Sequence, residues 1–273
     1  MDINILIAEA VNEDSPTGDL TTDNLNLQDR DVRAKLVAKE DLILSGTVLF
    51  EKVVLHFDPA AVIRWEFKDT QLVLKGQTIC VTKAKAAPLL KAERIALNFL
   101  GHLSGIATLT RCYVDKIRHT KTKILDTRKT LPGYRSLQKQ AVRDGGGMNH
   151  RMNLSSAVMI KDNHIQAAGG ITKAVELIRE KTAEPIEVET TTLEQVKEAV
   201  SLKVSRIMLD NMSSAQMKEA LALIPTAIES EASGNMNLDR IREIAELGVD
   251  YISVGALTHS SPTADISLKV EWD

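Results

Sequence analysis

The sequence predicts an α/β protein in two parts, an α+β part at the N-terminus followed by a parallel α/β barrel. Its length of 273 residues suits about two domains or one large barrel. Apolar and polar residues alternate with a period of two in the middle of the first 110 residues. Beyond residue 123 the pattern changes to short apolar strands separated by amphipathic helices, which is typical of a parallel sheet.

The first part, residues 1–110, is expected to begin with a helix and to continue with strands. Apolar residues from Ile3 to Val11 share one helical face and precede the turn-rich sequence EDSPTGD. The segment 32–38 alternates apolar and polar residues, and shorter strands are expected near 62–67 and 79–81. The segment from Pro88 to Gly105 is rich in Leu, Ala and Ile, which predicts a long, buried helix.

Six strands are expected in the second part, with the sequences KILDT, AVMIK, PIEVET, RIMLD, TAIES and YISVG. Short apolar strands fit either a barrel or a doubly wound sheet, and periodicity alone does not separate the two. In a barrel all carboxyl ends meet at one mouth, whereas an open sheet needs functional residues only at its switch point. Polar or small residues end every predicted strand, which favours a barrel, complete or incomplete: Asp126, Lys161, Glu189, Asp210, Glu231 and Gly255.

The composition argues against several classes of protein. Aromatic residues make up 3% of the chain, too few for stacking single-stranded nucleic acid, and a net charge of -3 does not attract polyanions. Cys80 and Cys112 have neither CxxC nor metal-finger spacing. The N-terminal sequence is acidic where a signal peptide is basic, and no apolar run reaches the ~18 residues of a membrane span. We expect a cytoplasmic protein that binds neither nucleic acid nor membranes.

The densest chemical signal is a group of cations. Between Lys123 and His164, eight basic residues stand against three acidic ones, and all but Lys123 lie within ILDTRKTLPGYR, KQAVRDGGGMNHRMNL and IKDNHI. Taken singly, the basic pairs, the glycine run and the Asn-His-Arg sequence in these segments are typical of a solvated surface, a flexible turn and a helix cap. Together, Arg128 and Lys129 follow one strand and Lys161 ends another, so several cations should point into one barrel mouth. Because such a cluster repels itself and Arg binds carboxylate or phosphate bidentately, we expect a multiply anionic substrate.

Three acids, Glu189, Asp210 and Glu231, are expected opposite these cations. One interpretation is that they only pair with the Arg and Lys side chains in a supporting network. The other is that they hold a divalent metal, order ribose hydroxyls or stabilise a cationic transition state. Oxygen ligands suit Mg²⁺ bound through substrate phosphates, and nothing in the sequence suits zinc.

The late loops EASGN (231–235) and SVGALTHS (253–260) are typical of a phosphate site. Small residues directly after strands let backbone N–H groups approach a phosphate, and a helix expected after Asn237 would add its N-terminal dipole. The sequence contains no GxGxxG, GxxxxGK[ST], GxSxG or HExxH. Rossmann dinucleotide binding, P-loop chemistry, a nucleophile elbow and zincin chemistry therefore lose support.

These motifs resemble, in order and spacing, those of the quinolinate phosphoribosyltransferase family, also called nicotinate-nucleotide pyrophosphorylase (carboxylating). The resemblance spans almost the whole chain and rests on GDLTT (18–22), ERIALNFLGHLSGIAT (93–108), ILDTRKTLPGYR, AVRDGGGMNHR, IKDNHI, IEVET, IMLDN, EASGN and ISVGALTHS. It implies an N-terminal α/β sandwich domain over residues 1–110 and an incomplete α/β barrel over residues 111–273.

The resemblance also implies a homodimer or larger assembly in which two chains share each active site. Arg94, in the helix at about 88–105, corresponds to a substrate-binding arginine contributed by the partner. The barrel residues that match the family's site for quinolinate and phosphates are Arg128, Lys129, His150, Arg151 and Lys161. The residues that match acids near the ribose and magnesium are Glu189 and Asp210, and those that match the ribose 5-phosphate loops are Ser233, Gly234 and Gly255. Lys129, Glu189 and Asp210 are the expected catalytic residues.

The implied reaction transfers phosphoribose from phosphoribosyl pyrophosphate to quinolinate, with loss of CO₂. Two alternatives stay open. One is a relative on the same fold with another base, such as a nicotinate phosphoribosyltransferase or the related protein encoded with molybdate transport genes. The other is a catalytically dead barrel that acts as a nucleotide sensor or scaffold. The four cations Arg94, Arg128, Arg151 and Lys161 favour a base with two carboxylates.

Two positions depart from the family pattern. Asp144 stands where a neutral residue is common, and Asn153 replaces a usual glycine. Neither change removes a cation. We expect the Asp144 side chain to point away from the phosphates.

Overall fold

The computed structural model describes residues 2–27 and 29–272, which form two compact units. The first unit contains the chain up to Arg111, together with Leu131–Gly146 and the residues from Ser261 onward, and the second contains Cys112–Thr130 and Gly147–Ser260. The expected boundary near residue 110 lies close to this division. The two later segments of the first unit, however, come from the part of the chain that the sequence assigned to the barrel domain.

The helices are α1 (Ile3–Asp14), α2 (Thr47–Phe57), α3 (Ala86–Ile117), α4 (Arg135–Asp144), α5 (Asp162–Ala168), α6 (Ile171–Arg179), α7 (Leu193–Ser201), α8 (Ser214–Leu223), α9 (Ile241–Glu246) and α10 (Ala256–His259). The strands are β1 (Asp31–Ala38), β2 (Leu42–Ile43), β3 (Val62–Trp65), β4 (Leu72–Val73), β5 (Thr78–Lys85), β6 (Lys123–Leu125), β7 (Val158–Ile160), β8 (Ile186–Thr190), β9 (Arg206–Asp210), β10 (Glu229–Ser233), β11 (Tyr251–Ser253) and β12 (Ile266–Glu271).

An antiparallel sheet with the order β12-β1-β5-β3 forms the centre of the first unit. The alternation predicted for β1 is confirmed, because its apolar residues Val32, Ala34, Leu36 and Ala38 are all buried. The sheet buries these side chains on one face and leaves charged residues on the other, as an antiparallel sheet with one solvated face requires. Its edge strand β12 comes from the C-terminal end of the chain, which explains why this segment belongs to the first unit.

Helix α3 begins two residues before Pro88 and ends twelve residues after Gly105, so it is longer than the sequence predicted. Proline is tolerated here because the N–H groups of the first helical turn have no intrahelical partner. At Gly105 the chain near Pro262 comes so close that a Cβ atom would lie 1.9 Å from the Pro262 carbonyl oxygen. Glycine is therefore needed at this position for the C-terminal segment to pack on the helix.

The second unit is built on a parallel sheet with the order β6-β11-β10-β9-β8-β7. From β7 to β11 each strand lies beside its neighbour in sequence, and β6 lies beside β11. This is the circular order of a barrel and not the reversing order of a doubly wound sheet. Among the described residues no strand pairing joins β6 to β7. The incomplete parallel barrel is thus confirmed.

The prediction for the fifth barrel strand was wrong in register. TAIES (226–230) was expected to be the strand, but β10 covers Glu229–Ser233. The Ile228 N–H donates to the Pro225 carbonyl oxygen at 2.9 Å, so a turn occupies the apolar residues and the strand starts after it. Glu231 consequently lies in the middle of β10, fully buried, and not at the barrel mouth.

No helix among the described residues combines the length and the apolar character that a membrane crossing demands.

Replacing Gly105 with alanine should lower the free energy of unfolding by about 1–3 kcal/mol. The new methyl group would collide with the Pro262 carbonyl oxygen, and this outweighs the gain in helix propensity. Urea unfolding of Gly105→Ala beside Asn98→Ala, an exposed position on the same helix, measures the effect. The control should change stability by less than about 0.5 kcal/mol. Equal stability of the two variants would contradict the close approach.

Candidate active site

Ten of the predicted site residues lie in the second unit, at or after the carboxyl ends of its strands or in the segment before β7. Because the carboxyl ends of parallel strands meet at one edge, the residues that follow the strands lie around one mouth. His150 and Arg151 instead line a pocket with the amino ends of β8, β9 and β10. The ten residues are Arg128 after β6, His150 and Arg151 before β7, Lys161 after β7, Glu189 in β8, Asp210 in β9, Ser233 and Gly234 at the end of β10, and Lys129 and Gly255, which lie side by side.

Two guanidinium groups of this set lie close enough to repel each other. Burial and, next, the positive charge of nearby Arg128 lower the pKa of Arg151. The Arg151 side chain is fixed by its Nη1, which donates to the Ala157 carbonyl oxygen at 3.1 Å. Two like charges held in a half-buried site favour binding of an anion between or beside them.

Lys161 and Glu189 form an ion pair. Lys161 Nζ donates to Glu189 Oε2 at 2.6 Å, and the side chains are 42% and 12% exposed. For Glu189 the supporting-network interpretation therefore describes the geometry, although an acid held in place by a lysine can still act electrostatically on a substrate. The other acid, Asp210, accepts a hydrogen bond at Oδ2 from the Asn211 side chain at 2.7 Å.

The chain between residues 147 and 151 lies beside β6, where the barrel is open. Met148 forms a parallel bridge with Leu125, and its N–H donates to the Ile124 carbonyl oxygen at 2.8 Å. The fully buried Asp126 then accepts from the backbone N–H of His150 at 2.8 Å and from the Asn149 side chain at 2.6 Å. Asp126, predicted only as a polar strand end, thus fixes the backbone that carries His150.

The His150 ring is held on both sides. The Arg151 backbone N–H donates to Nδ1 at 2.6 Å, which places the ring proton on Nε2. Nε2 lies 3.3 Å from Glu187 Oε2 and 3.5 Å from Glu231 Oε2. Sequence analysis did not single out Glu187. The signal was present, because a strand has a period of two and IEVET therefore puts Glu187 on the same side as Glu189.

This group of His150, Glu187 and Glu231 retains a proton to high pH. Burial alone would lower the pKa of His150, but the two carboxylates raise it to about 9. Burial and the charge of Glu231 also raise the pKa of Glu187. In the folded protein the group as a whole therefore binds this proton more tightly than the unfolded chain does.

The loops after β9 and β10 are packed together at Gly234. This residue has a φ of +86°, and a Cβ atom there would lie 2.8 Å from the Asn211 backbone nitrogen. Arg240 ties the two loops through its Nη2, which donates to the Met212 carbonyl oxygen at 2.6 Å. The helix expected directly after Asn237 begins only at Ile241, because the Asn237 side chain accepts from two following N–H groups and forms a turn.

The eleventh predicted site residue is Arg94, and two further positions, Asp144 and Asn153, depart from the family pattern. Arg94 belongs to the first unit and is exposed on α3. Asp144 is buried in the first unit, where it accepts from Ser45 Oγ at 2.7 Å and from the Gln140 side chain at 2.8 Å. These bonds occupy both of its oxygens. Asn153 is exposed, and its side chain accepts from the Ser155 N–H at 3.0 Å in a local turn.

Residues 19–104 match the family profile described as "Quinolinate phosphoribosyl transferase, N-terminal domain", and residues 106–269 match the corresponding C-terminal domain. The chain is 43% identical to "Nicotinate-nucleotide pyrophosphorylase [carboxylating], chloroplastic" of Arabidopsis thaliana, covering 100% of this chain and 84% of that protein. It is 44% identical to a probable nicotinate-nucleotide pyrophosphorylase [carboxylating] of Synechocystis, covering 94% and 89%. The solved nicotinate-nucleotide pyrophosphorylase of Francisella tularensis superposes with a TM-score of 0.95 at 40% identity, covering 98% and 96%.

The proton held by His150, Glu187 and Glu231 should make stability depend on pH. The raised pKa contributes stability that is complete below pH 6.5, the ordinary pKa of histidine, and is lost as the pH rises through about 9. Urea unfolding of the protein and of the double variant His150→Gln/Glu187→Gln should therefore differ more at pH 6 than at pH 9.5, by on the order of 3 kcal/mol. A difference that does not change with pH would contradict this assignment.

Proposed function

The chain belongs to the quinolinate phosphoribosyl transferase family, and from this premise we propose that it makes nicotinate mononucleotide for NAD biosynthesis. The reaction transfers phosphoribose from phosphoribosyl pyrophosphate to quinolinate and releases pyrophosphate and CO₂. The observation that carries the proposal is the half-buried Arg128–Arg151 pair, whose mutual repulsion a dicarboxylate would relieve. Two relatives with more than 40% identity carry the name of the same activity.

In the proposed mechanism, the cations bind and orient the base. Arg128, Arg151 and Lys161 bind the two carboxylates of quinolinate, with His150 beside them. The pyridine nitrogen attacks the anomeric carbon, and the bond from that carbon to the pyrophosphate oxygen breaks. The positive charge that develops on the ribose is stabilised by Glu189 and Asp210, of which Glu189 is already fixed by Lys161.

Loss of CO₂ follows from the chemistry of the product ring. The pyridine nitrogen becomes quaternary and withdraws electrons, so the bond between the ring and the 2-carboxylate breaks and CO₂ leaves. The electron pair stays on the ring carbon and takes a proton. No covalent intermediate with the protein is needed, in agreement with the absence of a nucleophile-elbow motif.

The phosphate groups are assigned to the remaining residues. Ser233, Gly234 and Gly255 would hold the ribose 5-phosphate through backbone N–H groups. Lys129, whose Cδ would lie 3.2 Å from a Cβ atom at Gly255, is near enough to this loop to bind a phosphate oxygen. Lys129 is therefore a catalytic residue in this proposal, since it would stabilise the charge on departing pyrophosphate.

Magnesium fits this site as an ion carried by the substrate. The donors are hard carboxylate oxygens, and Glu189 already accepts from Lys161, so Glu189 and Asp210 alone leave too few uncommitted oxygens to surround the ion. Asp210, with Glu189, would contact the ion directly or through water. When bound, Mg²⁺ would neutralise charge on the pyrophosphate leaving group.

We propose that the active protein is a homodimer or a larger assembly, and that Arg94 enters the site of the partner. Its exposure on α3 in the first unit supports this, since the side chain is available to another chain. We also propose a cytoplasmic location. Cys80 and Cys112 are both free thiols, as is usual in a reducing compartment.

The reaction is tested by measuring CO₂ and pyrophosphate from quinolinate, phosphoribosyl pyrophosphate and Mg²⁺, with nicotinate as the parallel base. We expect equal release of both products with quinolinate and none with nicotinate. Chelation of the metal should abolish turnover, and addition of Mg²⁺ should restore it.

Pyrophosphate release with nicotinate alone would assign the protein to the related transferase. Absence of turnover with either base would support a binding-only role. Turnover of quinolinate that is unaffected by chelation would contradict the metal requirement alone.

Sharing of the site is tested by mixing two inactive variants, Arg94→Ala and Lys161→Ala. If Arg94 acts in the partner's site, subunit exchange creates dimers with one intact site, and activity should return to about one quarter of the native value. Differently tagged chains show that exchange has occurred. Exchanged dimers without activity would mean that Arg94 acts within its own chain.

A further inference from the structure

Two buried carboxylates of the barrel have no part in the mechanism above. Glu187, in β8, is 7% exposed, and Glu231, in β10, is 0% exposed. Burying a carboxylate is costly unless a hydrogen-bond donor or a cation compensates for the lost water. The partners of each carboxylate therefore indicate what it does.

Glu187 is directed to one group. Its Oε2 lies 3.3 Å from His150 Nε2, and its Oε1 has no hydrogen-bond donor among the described residues. Its side chain is 9% exposed, and that of His150 is 8% exposed. His150 is the close partner of this buried carboxylate, and the positive charge of Arg206 adds to the compensation for its burial, so the position of Glu187 serves His150 first.

Glu231 is fixed independently of His150. Arg206 Nη1 donates to its Oε2 at 3.1 Å, and Ser253 Oγ donates to its Oε1. Arg206 is in turn fixed by Glu229, which accepts from its Nη2 at 2.7 Å, and by the Tyr251 ring, 4.2 Å away. Glu231 thus presents a fixed negative charge 3.5 Å from His150 Nε2, which attracts the ring N–H.

The opposite side of the ring is fixed by the backbone. The Arg151 N–H donates to Nδ1 at 2.6 Å, and Asp126 holds the His150 N–H at 2.8 Å. Both ring nitrogens are therefore engaged, and the ring cannot turn without breaking a contact. Since Arg151 follows His150 directly, the orientation of the ring also fixes the start of the Arg151 side chain.

We propose that Glu187, backed by Glu231, is a positioning residue that holds His150 in one orientation and tautomer and thereby sets Arg151 for binding the base. This rests on the proposed function, in which His150 and Arg151 lie against quinolinate. Glu187 does not touch the substrate, so its effect on the reaction passes through His150.

The kinetic test is a double-mutant cycle of Glu187→Gln and His150→Gln. Glutamine keeps the size of each side chain and removes the charge or the ring. We expect Glu187→Gln to raise KM for quinolinate by about tenfold or more, with KM for phosphoribosyl pyrophosphate unchanged within about twofold. In the His150→Gln background the same substitution should have no further effect on kcat/KM.

A matched control is Glu246→Gln. Glu246 also contacts a histidine, with its Oε1 3.0 Å from His119 Nε2, but both side chains are more than 40% exposed. This variant should keep native kinetics. Effects of Glu187→Gln and His150→Gln that multiply in the double variant would overturn the proposal, because Glu187 would then act independently of the ring.

A second measurement reads the tautomer in the native protein and does not depend on turnover. In ¹⁵N NMR of histidine-labelled protein, the resonances missing from His150→Gln belong to His150. Above about pH 9, where the group has released its additional proton, we expect a protonated Nε2 and an unprotonated Nδ1. A proton on Nδ1 would overturn the proposed orientation even if quinolinate is turned over, whereas failure of the proposed function would appear as missing turnover with the predicted tautomer intact.

Discussion

The candidate site in the second unit is organised around cations that lie close enough to repel one another. Arg128 and Arg151 are near enough for the charge of one to lower the pKa of the other, and Lys161 directly follows β7. A protein cannot keep such charges together without fixed counter-charges or a bound anion. The parallel strands satisfy this requirement, since their carboxyl ends bring side chains from distant parts of the sequence to one edge.

The counter-charges lie at two levels along the strands. At the mouth, Glu189 neutralises Lys161 directly. Deeper in the barrel, Glu187 and Glu231 face His150, and Arg206 forms an ion pair with Glu231. Burial excludes water from around the deeper charges and therefore strengthens the interactions between them.

Much of the architecture could be predicted from the sequence because local patterns carried it. The alternation in β1, the strand-helix rhythm after residue 123 and the cations after β6 and β7 all correspond to observed features. The register of β10 could not be predicted, because an apolar run, Ala-Ile, forms a turn while polar Glu231 lies inside the barrel.

The failures have a common physical cause. A polar interior reverses the rule that buried strand residues are apolar, so Glu187 and Glu231 resembled surface or mouth residues in the sequence. The inclusion of residues 131–146 in the first unit was likewise not visible locally. It depends on tertiary contacts such as that of buried Asp144 with Ser45, which lies 99 residues earlier in the chain.

The most direct test of the central claim is the binding of quinolinate and nicotinate to the protein by calorimetry at low and high salt. The cation cluster predicts that quinolinate, with its second carboxylate, binds at least about tenfold more tightly, because one more charge-assisted contact is made. Its advantage should shrink as salt screens the charges. Equal affinity for the two bases at low salt would contradict the claim that the cluster exists to bind a dicarboxylate.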